Sequence, residues 1–333
     1  MADVSAVVLV GGFGTRLRPV TYAVPKQLVP LAGQPMLFHA MDLLPSPVTR
    51  ITLACGYKAE AFEAYLSQHP YRLPVKVVRE AVPLGTGGGL LNGSVGASDP
   101  FVLVNGDVIS GLDMDPMLEF HLQHGGVGTM SFYEVDDPSP YGVAVWDSEQ
   151  RITNFVEKPP RESAPSRWIN AGASIWSREL LKEIPAGREV SLEKEVLPKL
   201  LGRGVYGFPF RGWWEDAGTP SRLLNAQRLL FDHPRVGRFT PRCHLPGAQV
   251  IPQVATGKGC EAAGATVGRY VTLGDRVQIG RGAVVEDSVL MDGAVVGDRA
   301  EVRRSILGPG YHVEAGAKVH DRCLANEGPA PKP

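Results

Sequence analysis

A chain of 333 residues has room for about two domains of roughly 150 residues each, and 44% hydrophobic residues can bury a substantial core. Its 34 basic and 35 acidic residues nearly cancel, which argues against a nucleic-acid groove or a membrane-surface patch. Cys55, Cys243, Cys260 and Cys323 show no C-x-x-C spacing and read as reduced thiols of a cytoplasmic protein, not as a disulfide frame or zinc site. No apolar run approaches the about 20 residues of a membrane helix. The first such run has only Asp3 before it and no basic region, which predicts a first strand and no signal peptide.

That first strand, Ala6–Val10, opens into Gly11-Gly12-Phe13-Gly14-Thr15-Arg16-Leu17-Arg18-Pro19. Glycines at a strand end let backbone N–H groups converge on an anion, because no Cβ blocks the approach. Arg16 adds a planar charged fork and Lys26 a mobile point charge, both suited to phosphate oxygens. No Gly-Lys-Ser/Thr closes the loop, and Leu17 stands where a dinucleotide fingerprint needs its third glycine.

Further strands are predicted at Ile51–Ala54, Val75–Val78 and Phe101–Val104. Helices are predicted at Pro35–Leu44, Lys58–Ser67, Gly87–Gly96 and Asp115–His124. This alternation means right-handed crossovers and a mostly parallel α/β sheet, with ligands bound beyond the carboxyl ends of its strands. The loops at 11–19, 80–88 and 105–108 should meet there. A second glycine turn follows Glu80 at Pro83-Leu84-Gly85-Thr86-Gly87-Gly88, and Asn105-Gly106-Asp107 ends the fourth strand in a carboxylate. Asp107 alone could equally be a turn former.

From Thr129 to Val156 the pattern becomes β-rich, consistent with a substrate-side subdomain. Ser191 is a plausible N-cap ahead of Glu193 and Glu195, the latter read as helix-dipole compensation. Trp213-Trp214-Glu215-Asp216-Ala217-Gly218-Thr219-Pro220 is a second acidic turn, leading into a helix at Pro220–Phe231. Two carboxylates from distant positions can share Mg²⁺, which favours one or two carboxylates plus phosphate oxygens.

The expected domains are 1–232, a proline- and glycine-rich linker at 233–252, a repeat region at 253–325 and a disordered tail at 326–333. Within the repeat, Val267, Leu273, Ile279, Val285 and Met291 are six apart, as are Val271, Val277, Ala283, Val289 and Val295. Hexapeptide periodicity predicts a short parallel β-helix of some three coils of roughly 18 residues, its register slipping near Gly297. The open end of such a helix favours self-association, so it reads as a homo-oligomerisation module outside the chemistry.

Eight blocks occur in order over residues 5–232: GGFGTRLRPVT…PKQLVPLAGQPM, PLGTGG, VNGDV, YGV, FVEKP, NAG, SLEKEVLP and WWEDAGTP. On these the chain resembles the sugar-nucleotide pyrophosphorylase (nucleotidyltransferase) family, and within it the guanylyltransferases acting on mannose 1-phosphate or heptose 1-phosphate. The β-helical tail, left-handed in that family, resembles the mannose 1-phosphate branch and the thymidylyl relatives. The resemblance implies a Rossmann-like catalytic domain that transfers a nucleotidyl group from an NTP, GTP favoured, to a sugar 1-phosphate, with release of pyrophosphate.

It further implies catalytic roles for Arg16, Lys26 and Asp107, and Mg²⁺ held by Asp107 and Asp216. The nucleotide would lie on Leu9, Gly11, Gly12, Gly14, Thr15, Glu80, Gly85, Thr86 and Asn105. The sugar phosphate would lie on Gly142, Glu157, Lys158 and Asn170. Glu80, in the turn where this family reads the base, presents an acceptor-only fork that matches the N1–H and N2 amino donors of guanine.

Three other readings compete. One is the same reaction with dTTP or UTP and glucose 1-phosphate. Another is hexapeptide acyl transfer, with His312 and His320 in or beside the repeat. A third is a non-catalytic regulatory subunit, which would be expected to lose Arg16, Lys26 or the acidic residues.

Overall fold

The computed structural model describes residues 3–234 and 242–326. The expected tail from 327 onward, and the linker between 235 and 241, lie outside the described residues. The chain forms two compact units. One comprises the residues up to Gly12 together with Ala40–Trp214; the other comprises Phe13–His39 together with those from Glu215 onward. The chain therefore leaves the first unit inside the glycine-rich loop and returns to it after His39.

The first unit is built on a nine-stranded sheet. Val4–Leu9 pairs in parallel with Val48–Cys55 on one side and Phe101–Asn105 on the other, and Val75–Arg79 continues the parallel half beyond Val48–Cys55. These strands are runs of Val, Ile, Leu and Phe because a parallel sheet is covered on both faces; Ala6, Val7, Val8, Phe101, Val102 and Val104 are all fully buried or nearly so. Trp168–Trp176 pairs antiparallel with Phe101–Asn105 and leads into the β-rich half, where Gly142–Trp146 and Ile152–Glu157 are antiparallel to their neighbours and Gly128–Glu134 runs antiparallel to Trp168–Trp176 but parallel to Val205–Pro209. Helices at Ala59–Gln68, Gly85–Gly93 and Met114–His124 follow strands, the last capped by the Asp113 carboxylate accepting from Asp115 N–H and ended by left-handed Gly125. Elements expected from the sequence are present within a few residues of their expected ends.

In the second unit, fully parallel short strands stack into three sheets. One holds Gln249–Val250, Thr266–Val267, Val284–Glu286, Glu301–Arg303 and Lys318–His320; a second holds Val254–Thr256, Val271–Leu273, Ser288–Leu290, Ile306–Leu307 and Cys323–Leu324; a third holds Gln278–Ile279, Val295–Val296 and His312–Val313. This is the parallel β-helix, and it starts earlier than the expected first rung.

Its register departs from the hexapeptide reading at one corner. Val267 pairs with Val285, eighteen residues on, but Thr272 pairs with Val289, only seventeen on. The corner at Asp287 is one residue tighter than the corner at Tyr270, so the slip comes there and not near Gly297. Beyond it Val295 is half-exposed while Ala294 and Val296 are buried. Turns are locked by a carboxylate ladder: Asp275 accepts from Lys258 N–H, Asp292 from Asp275 N–H and Asp298 from Arg281 N–H.

Candidate active site

In the first unit, the parallel strands end in the turns that the sequence singled out. Glu80 follows Val75–Arg79, and its half-buried carboxylate is packed among glycines. A Cβ on Gly89 would stand 2.7 Å from its Oε1, one on Gly56 3.1 Å from its Oε2, and one on Gly11 3.7 Å from its Oε1. Leu84 N–H donates to Glu80 Oε2 at 3.0 Å. Burial pushes the Glu80 carboxyl above the usual carboxylate range, and the Leu84 bond partly opposes this. One oxygen is thus occupied by the turn and the other is left for a partner.

The turn itself is pinned. Gly87 N–H donates to the Val190 carbonyl at 2.8 Å and Val190 N–H to the Leu84 carbonyl at 2.9 Å. Gly85 has φ of 70°, and a Cβ there would lie 2.6 Å from the Val190 carbonyl oxygen, so only glycine fits. The Thr86 hydroxyl is already used, donating to Glu193 at 2.7 Å and accepting from Leu192 N–H at 2.9 Å. Ser191 caps this segment by accepting from Lys194 N–H, and Glu195 reciprocates on Ser191 N–H while pairing with Arg188.

Gly106 N–H donates to the Leu9 carbonyl at 2.9 Å, which fixes the turn carrying Asp107 against the end of the first strand. Beside it a small cavity is lined by Leu9, Asn105, Asn170, Gly172 and Glu193, over Leu103, Met130 and Trp176. Asn170 Oδ1 accepts from Gly172 N–H at 3.1 Å. On the neighbouring strands Glu157 pairs in register with Gly142, and a Cβ on Gly142 would lie 2.8 Å from the Glu157 carboxylate. Lys158 Nζ is 3.4 Å from Glu157 Oε1, and Trp214 donates its indole N–H to the Ala171 carbonyl at 3.0 Å.

The second unit carries the cations and the second acidic turn. Gly14 is left-handed at φ 62°, its carbonyl accepts from the Thr21 hydroxyl at 2.8 Å, and a Cβ on it would meet Thr21 Cγ2 at 2.8 Å. That closes the chain into a tight loop with Thr15 and Arg16 exposed on it. Lys26 is buried, and its Nζ stands 3.9 Å from Asp216 Oδ1. Asp216 Oδ2 also faces Arg222 Nη1 at 3.5 Å. The Arg16 guanidinium lies over Gly218, where a Cβ would come within 2.5 Å of Nη2. Glu215 is raised above the usual carboxylate range by burial, against the opposing Asn225 hydrogen bond and the Arg222 charge. Arg16, Lys26, Asp216 and Gly218 therefore form one cluster.

Residues 5–233 match the family model described as nucleotidyl transferase, and residues 247–328 match that of the GMPPB C-terminal domain. The chain belongs to the nucleotidyl transferase family. The mannose-1-phosphate guanylyltransferase of Mycobacterium tuberculosis is 36% identical over 324 residues, covering 95% of this chain and 83% of that one. The mannose-1-phosphate guanylyltransferase catalytic subunit beta of Drosophila melanogaster is 34% identical over 317 residues, covering 90% of this chain and 85% of that one. Among solved structures, HddC from Yersinia pseudotuberculosis complexed with GMP-PN aligns with TM-score 0.58 at 30% identity, covering 68% of this chain and 98% of that one.

Within the second unit, Arg16 and Lys26 stand beside the Asp216 carboxylate, a charge arrangement of the kind that phosphoryl chemistry uses. Residues that sequence reasoning missed include Gly56 and Gly89 around Glu80, and Arg222 beside Asp216. Neither glycine falls within a turn pattern shared with Glu80: Gly56 follows the neighbouring strand and Gly89 lies inside the helix after the turn, and only the fold brings both against the carboxylate. Among the described residues no helix is long and apolar enough to cross a membrane.

Proposed function

We propose that this nucleotidyl transferase moves a guanylyl group from GTP to a mannose- or heptose-type sugar 1-phosphate, giving a GDP-sugar and pyrophosphate. The observation that carries the base assignment is Glu80, half-buried in its glycine cradle with one oxygen tied to Leu84 N–H and one left for a donor. The names of the relatives and the GMP-PN complex of HddC support the same base.

The sugar phosphate is already ionised at neutral pH, so no strong base or covalent intermediate is needed. Catalysis is positioning and charge neutralisation. Arg16 takes charge on the α-phosphoryl group and the leaving pyrophosphate; Lys26 bridges the reacting phosphates. Leu9, Gly11, Gly12, Gly14, Thr15, Gly85, Thr86 and Asn105 serve the nucleotide, Thr86 through its backbone because its hydroxyl is engaged. Gly142 and Asn170 meet the sugar ring and its hydroxyls, together with Glu157. Lys158 meets the sugar's phosphate.

Asp107 and Asp216 are hard oxygen donors at turns, which fits Mg²⁺, and Asp216 is held between Lys26 and Arg222 without being buried away from a ligand. When bound, Mg²⁺ neutralises phosphate charge. The β-helix also serves homo-oligomerisation. A matrix of five NTPs against a panel of sugar 1-phosphates, read by pyrophosphate release with Mg²⁺, tests the reading. Preference for a pyrimidine triphosphate or for ATP overturns the base; turnover with none of the pairs overturns the reaction.

A further inference from the structure

In the second sheet of the β-helix, Val271 and Leu273 belong to the coil's apolar interior, so the residue between them points outward. That residue is Thr272, and it stands in register with Ala255, Val289 and Ile306. All four are at most 1% exposed. An outward row that is fully buried has something lying on it. Part of the cover is the helix Pro220–Asp232: the Gln227 amide donates to the Tyr270 carbonyl at 2.7 Å and to the Ser288 carbonyl at 3.4 Å, while Arg228 is bidentate on Asp287, with Nε to Oδ1 at 2.9 Å. At its end Asp232 accepts from the Tyr270 hydroxyl at 2.9 Å and from the Gln253 amide at 3.0 Å. The rest of the cover is the segment Phe13–His39. Pro30–Leu31 lies against Val271–Leu273, and the Cys323 thiol, next along the row, donates to the Leu17 carbonyl at 3.5 Å.

The same helix faces the chemistry with its other half. Arg222 holds Asp216, Asn225 donates to Glu215, and the Thr219 hydroxyl caps the helix on Arg222 N–H. Thirteen residues of helix, about 20 Å, thus join the acidic turn at one end to the β-helix corners at the other.

We infer that the β-helix is a positioning element of the catalytic apparatus: Asp287, acting through Arg228 and its helix, fixes the geometry of the Arg16–Lys26–Asp216 cluster. The proposal rests on the reaction assigned above. It makes the tail more than an assembly module, because its outward row seats the segment that carries the cations. Arg228 and Asp287 are positioning residues; neither touches a reacting group.

The test uses the full chain with Arg228→Ala, Asp287→Ala, both together, and Arg228→Lys. Arg304→Ala is the control, because it deletes a corner ion pair with Asp321 one coil beyond Asp287 while leaving the Arg228–Asp287 pair in place. The charge of Arg304 is felt by both members of that pair, but its hydrogen bonds go to Asp321. The single alanine variants should each lower kcat by on the order of ten- to a hundredfold, with KM for the sugar 1-phosphate unchanged, and the double variant should cost no more than either. Arg228→Lys should recover part of the loss, and Arg304→Ala should match wild type. Hydrogen exchange supplies a readout independent of turnover: backbone amides of 13–39 should exchange faster in Asp287→Ala and not in Arg304→Ala. Unchanged exchange and kcat in Asp287→Ala overturn the proposal, as does an equal kcat loss in Arg304→Ala. A wild-type chain inactive with every substrate pair rejects the assigned reaction instead, and the exchange data then decide the bracing on their own.

Discussion

The Arg16 guanidinium rests on Gly218, at a place where a single methyl group would come within 2.5 Å of its Nη2 and 2.9 Å of Asp216 Oδ1. Glycine is required there by two functional groups converging on one backbone atom, and no positive φ is involved. Gly218→Ala should therefore push the end of a flexible side chain aside at little cost in stability. The expected outcome is an unchanged Tm with a kcat lowered by on the order of tenfold or more, and a smaller change in KM for the NTP, because the Arg16 contact strengthens in the transition state. Arg16→Ala should show the same split more strongly. A pure KM effect in both variants would make Arg16 a binding residue.

Gly12 behaves differently. A Cβ built on it meets nothing within 4 Å, so nothing in the protein itself demands a glycine there. The proposed reason is room for a phosphate against the backbone. Gly12→Ala should leave the thermal unfolding midpoint at the wild-type value and raise KM for the NTP severalfold to about a hundredfold, as expected when a charge-assisted backbone contact is lost. Wild-type KM in that variant would remove Gly12 from the nucleotide site.

The acidic turns give a metal-dependence prediction. Asp107→Asn and Asp216→Asn should each abolish most Mg²⁺-dependent turnover with the fold intact by circular dichroism. Asp216 is also counter-charge to Lys26 and Arg222, so Asp216→Asn should in addition alter the NTP dependence, whereas Asp107→Asn should show its effect in the Mg²⁺ titration. Near-wild-type rates at saturating Mg²⁺ in either variant would withdraw that residue's assignment.

How much of this was legible in sequence depends on the range of the interaction. The glycine turns, the Ser191 cap and the parallel strands are local patterns, and their residues stand where local chemistry puts them. Leu9, Asn105 and Asn170, three residues assigned to the site from scattered blocks, line one cavity, because sheet order places their strands side by side. Thr86 shows the limit: its hydroxyl faces Glu193, over a hundred residues away, and no local pattern reveals that pairing. The Asp287 corner was illegible for a similar reason. A one-residue tightening leaves the apolar alternation intact on either side and shows itself only as the change from eighteen to seventeen residues between paired rungs.

The outward row of the β-helix yields a stability prediction. Thr272 is fully buried and its hydroxyl has no hydrogen-bond partner. An unsatisfied buried hydroxyl costs about 1–3 kcal/mol, and valine has the same shape without it. Thr272→Val should raise the unfolding midpoint by a few degrees, roughly 2–4 °C per kcal/mol for a chain of this order of size, with activity unchanged. A lowered midpoint would mean that a water or a ligand satisfies the hydroxyl in solution.

The sharpest prediction concerns Glu80 and pH. Its carboxylate must be ionised to accept from both N1–H and the N2 amino group of guanine, and one of its oxygens is already shared with Leu84 N–H. Burial raises its pKa, so the ionised form is lost, as pH falls, earlier than for an ordinary carboxylate. The GTP:dTTP ratio of kcat/KM should therefore decline on acidification through a midpoint above the usual glutamate value. A hydrogen bond to a charged group is worth roughly 1.5–3 kcal/mol, so the ratio at neutral pH should be on the order of ten- to a hundredfold. Glu80→Gln should erode it through kcat/KM for GTP, with a relative gain for dTTP or UTP, and should flatten the pH dependence because the amide does not titrate. If the ratio in Glu80→Gln equals that of the wild type, or the variant keeps the acid decline, another group reads the base.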